Sequence, residues 1–182
     1  MKVTPLEIPG PCLIELEPRG DNRGWFARSY CADEFATAGL VTDWPQMNLS
    51  FNARKGTVRG LHFQRPPAAE VKIVRCIAGA IYDVAVDLRD GSTTYGQHIH
   101  VELSSENRRA LYIPAGFAHG YQTLTDDVEM LYMHSAPYSP DHEGGLAFTD
   151  NNVAINWPLP LQEISDRDRT HPILADLEPI KL

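Results

Sequence analysis

Short segments rich in valine, isoleucine and tyrosine follow one another along most of this chain. They are predicted to be β-strands because branched and aromatic side chains suit a pleated surface, and because Gly, Pro, Asn, Asp or Ser interrupts them. The segments span residues 12–18, 24–30, 56–63, 71–77, 80–89, 96–103, 109–114, 119–125 and 128–136. Turn signals at intervals of about ten residues favour an all-β sandwich or barrel.

Helical signals are few. Residues 32–39 predict a short helix closed by Gly39, and the Pro- and Asp-rich tail after Pro158 predicts a helical turn or two laid over the β core. No linker or repeat is visible, so residues 1–182 are expected to form a single domain. Residues 80–89 are apolar on both parities, which predicts burial on both faces through partner contacts. A homodimer that covers a sheet edge is also expected.

Composition excludes several classes of protein. No apolar run approaches the roughly 20 residues that a transmembrane helix needs, and the N-terminus lacks a signal-peptide core. A cytoplasmic protein with no membrane partner is expected. The three cysteines form no CxxC pair and are predicted to be free thiols. A net charge of −8 without a basic tail argues against nucleic-acid binding.

The stretch RGLHFQRPPAAEVKIVR, residues 59–75, places reactive polar side chains among apolar ones. The PAGFAHG segment around His119 resembles the second metal motif of metal-dependent cupins, so His62, Glu70 and His119 are a conceivable ligand set. Gln64 stands where the first cupin motif has a second histidine, and an amide is a poor ligand beside imidazole. His119 as a hydrogen-bonded barrel histidine is the alternative.

A second histidine pair lies in His98–Ile99–His100. Alternate residues of a strand share a face, so the two imidazoles would lie side by side. The pair is distant from the other motifs and is expected on an exposed or interface face.

A more specific resemblance covers nearly the whole chain. Its motifs are DNRGWF (21–26), QMNLSFNARKGTVRGLHFQ (46–64), VKIVRCIAGAIYDVAVDLRDGSTTYG (71–96), LSSENRRALYIPAGFAHGY (103–121), LYMHSAPYSPDHEGGLAFTD (131–150), INWP (155–158) and ISDRD (164–168). In order and spacing they resemble the dTDP-4-dehydrorhamnose 3,5-epimerase family. The resemblance implies a homodimeric double-stranded β-helix (a cupin-like jelly-roll barrel) with no metal and no cofactor. It implies a nucleoside-diphosphate 4-keto-6-deoxy-sugar as substrate.

Epimerisation beside a ketone needs a base, an acid on the opposite face and a group that stabilises the enolate. The resemblance implies that His62 is the base, oriented by Asp168, and that Tyr132 is the proton donor. It implies that Lys72 faces the C4 oxygen. The residues alone also allow a helix cap at Asp168, since Ser165-x-x-Asp168 is similar to a capping box. They equally allow half-buried packing for Tyr132 and a snorkelling surface position for Lys72.

The resemblance also implies substrate-binding residues. Arginine suits a diphosphate because its planar fork donates two parallel hydrogen bonds. The implied contacts are Arg23 and Arg59 to the diphosphate, Gln46 and Asn48 to nucleotide and sugar, Tyr138 stacked on the base, Glu143 at the nucleotide, and His119 at the ligand.

Four residues depart from the family pattern: Arg28, Glu70, Met133 and Phe148 stand where glutamate, glutamine, lysine and tryptophan are usual. They leave open the nucleobase and whether C3, C5 or both are inverted. Two other functions stay open on the residues alone: a metal-dependent cupin enzyme and a catalytically inactive nucleotide-sugar-binding relative.

Overall fold

The computed structural model describes residues 1–182, most of whose regular structure is β-strand. The strands are β1 (Lys2–Pro5), β2 (Cys12–Glu15), β3 (Arg19–Asp21), β4 (Gly24–Phe26), β5 (Gln46–Asn52), β6 (Val58–Gln64), β7 (Lys72–Ala78), β8 (Ala80–Asp87), β9 (His98–Ser104), β10 (Ala110–Ile113), β11 (Phe117–Thr123), β12 (Val128–His134) and β13 (Glu143–Gly145). The helices are α1 (Ala32–Thr37) and α2 (Asp166–Arg169), with 3₁₀ turns at Pro140–His142 and Leu174–Asp176.

The strands form two antiparallel sheets that pack on each other. One has six strands in the order β1-β2-β10-β7-β12-β5, and the other has five in the order β13-β6-β11-β8-β9. Strands β3 and β4 form a separate hairpin. The predicted all-β, cupin-like barrel with a few short helices is confirmed.

Strand β5 is the main element that the strand prediction missed. Its apolar residues Met47, Leu49 and Phe51 are exposed, and Asn52 on the other parity is buried. Since this reverses the usual alternation and β5 lies at a sheet edge, no apolar inward face marks it as a strand. The predicted helix at 32–39 is confirmed as α1, which buries Phe35.

Along β7 and β12 the inward row of side chains changes from apolar to polar. Val74 and Met130 lie in the core between the sheets, each fully buried. Lys72 lies two residues before Val74 and Tyr132 lies two residues after Met130, and both line a cavity. Burying an aliphatic side chain contributes about 1.5–3 kcal/mol, so the apolar half of the interior stabilises the barrel that holds the polar half.

The outer face of the five-stranded sheet is covered by the chain's own C-terminal segment. Val84 and Val86 of β8 pack there with Leu146, Val153 and Ile180. The prediction that residues 80–89 owe their second buried face to partner contacts was therefore wrong. Both faces of β8 are buried within one chain.

Three smaller features of the structure concern its helices, its cysteines and its second histidine pair. No helix is long and apolar enough to cross a bilayer. All three cysteines are free, with Cys12 and Cys76 buried and Cys31 partly buried. His100 is exposed, as expected, and stacks on Tyr82, whereas His98 is only partly exposed.

Candidate active site

A polar cavity of about 290 Å³ lies between the two sheets and opens to solvent. The six-stranded sheet contributes side chains of β5, β7 and β12, and the five-stranded sheet contributes β6, β11 and β13. The lining residues are Gln46, Asn48, Leu49, Ser50, Arg59, His62, Glu70, Lys72, His119, Tyr121, Tyr132, His134, Tyr138 and Glu143. Nine of the eleven site residues predicted from the sequence are therefore at one cavity.

His62 and Asp168 form a dyad at the wall of this cavity. Nε2 of His62 lies 2.8 Å from Oδ1 of Asp168. The carboxylate is buried, whereas the imidazole is about a third exposed towards the cavity. Since the ionised Asp168 accepts a hydrogen bond from the N–H at Nε2, the Nδ1 atom of neutral His62 is the unprotonated nitrogen that can accept a proton.

Asp168 reaches His62 because of two local features. Ser165 caps α2 by accepting a hydrogen bond from the Asp168 backbone N–H, so the predicted cap and the dyad coexist. The other carboxylate oxygen accepts the N–H of Gly60 at 3.0 Å. Gly60 has φ +118° and a Cβ there would lie 2.6 Å from the Gly120 Cα, so only glycine fits this approach.

Asp168 stays ionised despite its burial. Desolvation alone would raise the pKa of its carboxyl, but the hydrogen bonds from His62 and Gly60 outweigh it and lower the pKa to about 2. A negative charge therefore lies beside Nε2 of His62 at neutral pH.

Tyr132 belongs to the opposite sheet. Its hydroxyl lies 3.2 Å from those of Ser50 and Tyr121, and Tyr121 is bonded in turn to Asn52. Burial, together with the neighbouring Tyr121, raises the pKa of Tyr132 well above 10. The phenol is therefore protonated at neutral pH and is connected to a chain of hydroxyls.

Lys72 is held at the cavity by Glu70. Its Nζ lies 3.1 Å from Oε1 of Glu70, whose Oε2 lies 2.7 Å from Nδ1 of His134. Burial would raise the pKa of Glu70, but the His134 hydrogen bond and the Lys72 charge lower it. Glu70 is therefore a buried carboxylate that fixes both neighbours, and Lys72 is buried instead of lying at the surface.

His119 lies deep in the cavity wall. It is buried and its Nε2 lies 2.6 Å from Oδ1 of Asp83. Burial raises the pKa of Asp83, although the His119 charge opposes this. His119 is thus both a hydrogen-bonded barrel histidine and a residue that lines the cavity, so the two predictions for it are compatible.

At the cavity mouth, Tyr138 and Glu143 are joined by a 2.8 Å hydrogen bond, and Arg167 pairs with the same carboxylate. Gln46 accepts the backbone N–H of Tyr138 at 3.0 Å. The exposed Arg59 borders both this cavity and an adjoining groove that extends to Arg167. An arginine-flanked mouth with an exposed aromatic ring suits an anionic, ring-bearing group.

Arg23 is the predicted residue that the structure does not bring to the cavity. It lies at the exposed turn of the β3–β4 hairpin, where it pairs with Asp21. Arg28 is likewise outside the cavity and pairs with Glu34. Of the four departures from the family pattern, only Glu70 lines the cavity.

The conceivable metal set of His62, Glu70 and His119 is not assembled. Each of the three is paired with a different partner, Asp168, Lys72 with His134, and Asp83 respectively. The one grouping of three ligand-type residues is His62, Asp168 and His171.

Several cavity residues were missed by sequence reasoning. Ser50, Tyr121 and His134 each lie two residues from a predicted site residue on the same strand, so strand alternation could have found them. Asp83 and His171, which contact His119 and Asp168 behind the cavity wall, lie on no strand with a predicted site residue, so alternation could not have found them.

The model of the dTDP-4-dehydrorhamnose 3,5-epimerase family matches residues 5–176. A Sinorhizobium fredii dTDP-4-dehydrorhamnose 3,5-epimerase is 46% identical over 170 residues, covering 91% of this chain and 85% of the relative. The Bacillus anthracis enzyme of the same name, solved with TDP and PPi bound, superposes with a TM-score of 0.91 at 41% identity, covering 94% of this chain and 98% of that one.

A Legionella pneumophila dTDP-6-deoxy-D-glucose-3,5-epimerase, solved in complex with dTDP-4-keto-L-rhamnose, superposes with a TM-score of 0.90 at 36% identity. The likeness covers 97% of this chain and 94% of that one. On this family match and these likenesses, the chain belongs to the dTDP-4-dehydrorhamnose 3,5-epimerase family.

Proposed function

We propose that this protein is an isomerase that epimerises a dTDP-4-keto-6-deoxy-sugar at C3 and C5. Its substrate is dTDP-4-dehydro-6-deoxyglucose. The observation that carries the proposal is the pair of proton-transfer groups on facing sheets: the His62–Asp168 dyad on one side of the cavity and Tyr132 on the other. Family membership supplies the substrate class.

His62 removes the proton α to the ketone. Its Nδ1 atom takes the proton, and the resulting imidazolium is stabilised by the ionised Asp168 at 2.8 Å. Removing this proton leaves negative charge on the C4 oxygen. Lys72 stabilises that negative charge, because its ammonium is fixed by Glu70 beside the cavity and is screened from bulk water.

Tyr132 returns a proton to the other face of the same carbon. Its phenol keeps its proton at neutral pH, and the hydroxyls of Ser50 and Tyr121 replenish it. Because the base and the acid lie on opposite sheets, the sugar ring receives the new proton on the face opposite to the one it lost. The carbon is thereby inverted.

The nucleotide lies at the mouth of the cavity. Arg59 binds the diphosphate, Tyr138 stacks on the base, and Glu143 fixes Tyr138 through their 2.8 Å hydrogen bond. Gln46 and Asn48 contact nucleotide and sugar, and His119 contacts the sugar from the cavity wall.

The test is proton exchange in deuterated water, followed by proton NMR on dTDP-4-dehydro-6-deoxyglucose. The wild type should incorporate deuterium at C3 and C5, which the spectrum resolves separately. His62→Asn should abolish incorporation at both carbons, whereas His100→Asn, on an exposed outer face, should behave as wild type. Full exchange by His62→Asn would contradict the proposed base.

The protein also forms a homodimer through β5. This strand ends the six-stranded sheet and exposes Met47, Leu49 and Phe51, with Leu49 70% exposed. An open edge with an apolar stripe favours association with a second chain. Because Arg23 lies outside the cavity of its own chain, its implied contact with a diphosphate requires such a second copy.

Light scattering coupled to size-exclusion chromatography tests the dimer. The wild type should elute at twice the chain mass of 20.3 kDa. Met47→Lys should shift the population to the monomer, and Lys55→Glu, an exposed charge change outside β5, should not. A monomeric wild type would contradict the dimer and leave the proposed chemistry intact.

A further inference from the structure

His171 lies directly behind the catalytic dyad and lines neither the cavity nor the adjoining groove. Its ring rests on Gly145 of β13, where an added Cβ would lie 2.2 Å from the imidazole. Gly145 is in turn the strand partner of His62. The His171 ring is therefore seated in a niche that leads to the base.

Within this niche, three ligand-type atoms converge. One ligand atom from each of His62, Asp168 and His171 lies within 4.8 Å of the other two. Oδ1 of Asp168 is 2.8 Å from Nε2 of His62 and 3.4 Å from Nε2 of His171. The two imidazoles meet edge to face, with centroids 5.5 Å apart.

His171 itself has an unmet bonding requirement. Its Nε2 is fully buried, yet it makes no hydrogen bond of acceptable geometry. A buried polar atom without a partner costs about 1–3 kcal/mol. A buried imidazole nitrogen that lies 3.4 Å from a carboxylate oxygen and makes no hydrogen bond is placed to act as a ligand.

We propose that His62, Asp168 and His171 form a binding site for a divalent transition cation, with zinc as the best-suited ion, and that its occupancy inhibits the enzyme. Two imidazoles and one carboxylate are a ligand set that zinc accepts, leaving a fourth position for water. In a tetrahedral site the ligand atoms are about 3.3 Å apart. The His171–Asp168 separation already matches this spacing, and the His62–Asp168 separation needs to widen by roughly half an ångström.

Inhibition follows from the tautomer of His62 and rests on the proposed role of this residue as the base. In the metal-free dyad the ring proton is on Nε2 and Nδ1 is bare. A cation bound to Nε2 takes that lone pair, so the single proton of the neutral ring moves to Nδ1. His62 then presents an N–H to the substrate and cannot accept a proton.

Direct metal binding is the first test, and it does not depend on activity. Chelator-treated wild-type protein titrated with Co²⁺ should develop visible ligand-field bands at one ion per chain, and calorimetry with Zn²⁺ should give the same stoichiometry. His171→Ala and the bulkier His171→Gln should weaken Zn²⁺ binding by at least about tenfold. His100→Ala, which removes the exposed member of the His98/His100 pair, is the matched control and should bind as wild type.

Inhibition is the second test, with each variant compared to its own metal-free rate. Zn²⁺ should inhibit the wild type and His100→Ala, EDTA should reverse this, and Mg²⁺, a hard cation that prefers oxygen ligands, should not inhibit. Both His171 variants should need at least about tenfold more Zn²⁺ for half-inhibition.

The two measurements separate the possible failures. Co²⁺ or Zn²⁺ binding that is unchanged in both His171 variants would overturn the site. Binding that depends on His171 without inhibition of an active wild type would overturn the inhibition and leave the epimerase function standing. A wild type that is inactive without metal would contradict the proposed function, while the Co²⁺ titration would still decide the site.

Discussion

Glu70 and His134, which are 64 residues apart in sequence, form a buried pair with 2.7 Å between Oε2 and Nδ1. The second oxygen of the same carboxylate binds Lys72 at 3.1 Å. One side chain thus connects Lys72, the group proposed to face the enolate oxygen, to the strand that carries Tyr132. Glu70 is also the one departure from the family pattern that lines the cavity, and it is charged where a glutamine is usual.

Glu70→Gln should therefore affect both stability and turnover. An amide cannot neutralise Lys72, and breaking a buried charge pair by removing one partner costs about 3–5 kcal/mol. We expect a loss of about 3 kcal/mol in the free energy of unfolding, and a lower kcat with a smaller change in KM. Urea unfolding and steady-state kinetics measure these effects. Glu129→Gln, an exposed change on β12, is the control, and equal effects of the two variants would contradict this role.

Tyr132→Phe should separate proton removal from inversion. With His62 intact, the variant should still exchange the α-proton with deuterated water, because the base works from the other sheet. Formation of inverted product should fall by about 10²–10⁴-fold, the usual contribution of a general acid. Proton NMR records both processes in one sample. Tyr30→Phe, whose hydroxyl bonds to the Thr42 carbonyl, should leave both rates unchanged. Exchange and inversion lost in equal measure by Tyr132→Phe would argue against its role as the acid.

Asp168→Asn tests the tautomer of the base. The amide nitrogen would donate to Nε2 of His62, so the ring proton would move to Nδ1. By analogy with the same change in serine-protease triads, kcat should fall by about 10³–10⁴-fold with the fold intact. Circular dichroism confirms the fold and deuterium exchange gives the rate. Asp166→Asn, on the exposed side of α2, should retain wild-type activity. A fall of less than tenfold in Asp168→Asn would show that the carboxylate does not set the tautomer.

Asp87 should make the free energy of unfolding depend on pH in the acidic range. Although burial would raise the pKa of its carboxyl, hydrogen bonds from Arg89, Ser92 and Thr94 lower it from 3.8 to about 2. A depressed folded-state pKa stabilises the protein above the unfolded value, and this stabilisation is lost as the pH falls from 3.8 towards 2. Its size is up to about 2 kcal/mol.

Asp87→Asn should consequently be less stable than the wild type at pH 7, and the difference should shrink as the pH approaches 2. Urea unfolding at several pH values measures this convergence. Asp90→Asn, an exposed neighbour, should follow the wild-type profile. A pH-independent difference between Asp87→Asn and the wild type would contradict the assignment.

The fold was largely predictable from alternation and turn residues, since most strands carry one apolar face. Strand β5 was not, because Gln46, Asn48 and Ser50 make its cavity-lining parity polar, and its apolar residues Met47, Leu49 and Phe51 are exposed. The second buried face of β8 was recognised, but its cause was misassigned. An apolar outward row cannot reveal whether it packs on a partner or on a distant part of the same chain.

The site was predictable to the extent that motifs carried it. His62, Tyr132 and Lys72 were assigned through the resemblance, and the structure brings them to one cavity. The residues alone supported no more than a helix cap for Asp168. Its link to His62 spans 106 residues and depends on the positive φ of Gly60, which no local pattern reveals. The Glu70–His134 pair was unpredictable for the same reason.

The carboxylate proposed to orient the base lies late in the chain. Strands β5 to β12 supply nearly the whole cavity wall, but Asp168 belongs to the segment that wraps the outside of the five-stranded sheet. A chain that ended after β13 would therefore contain every residue that lines the cavity, including His62, but would lack Asp168. On the proposed mechanism, activity therefore requires the segment that carries Asp168 to be packed against β6.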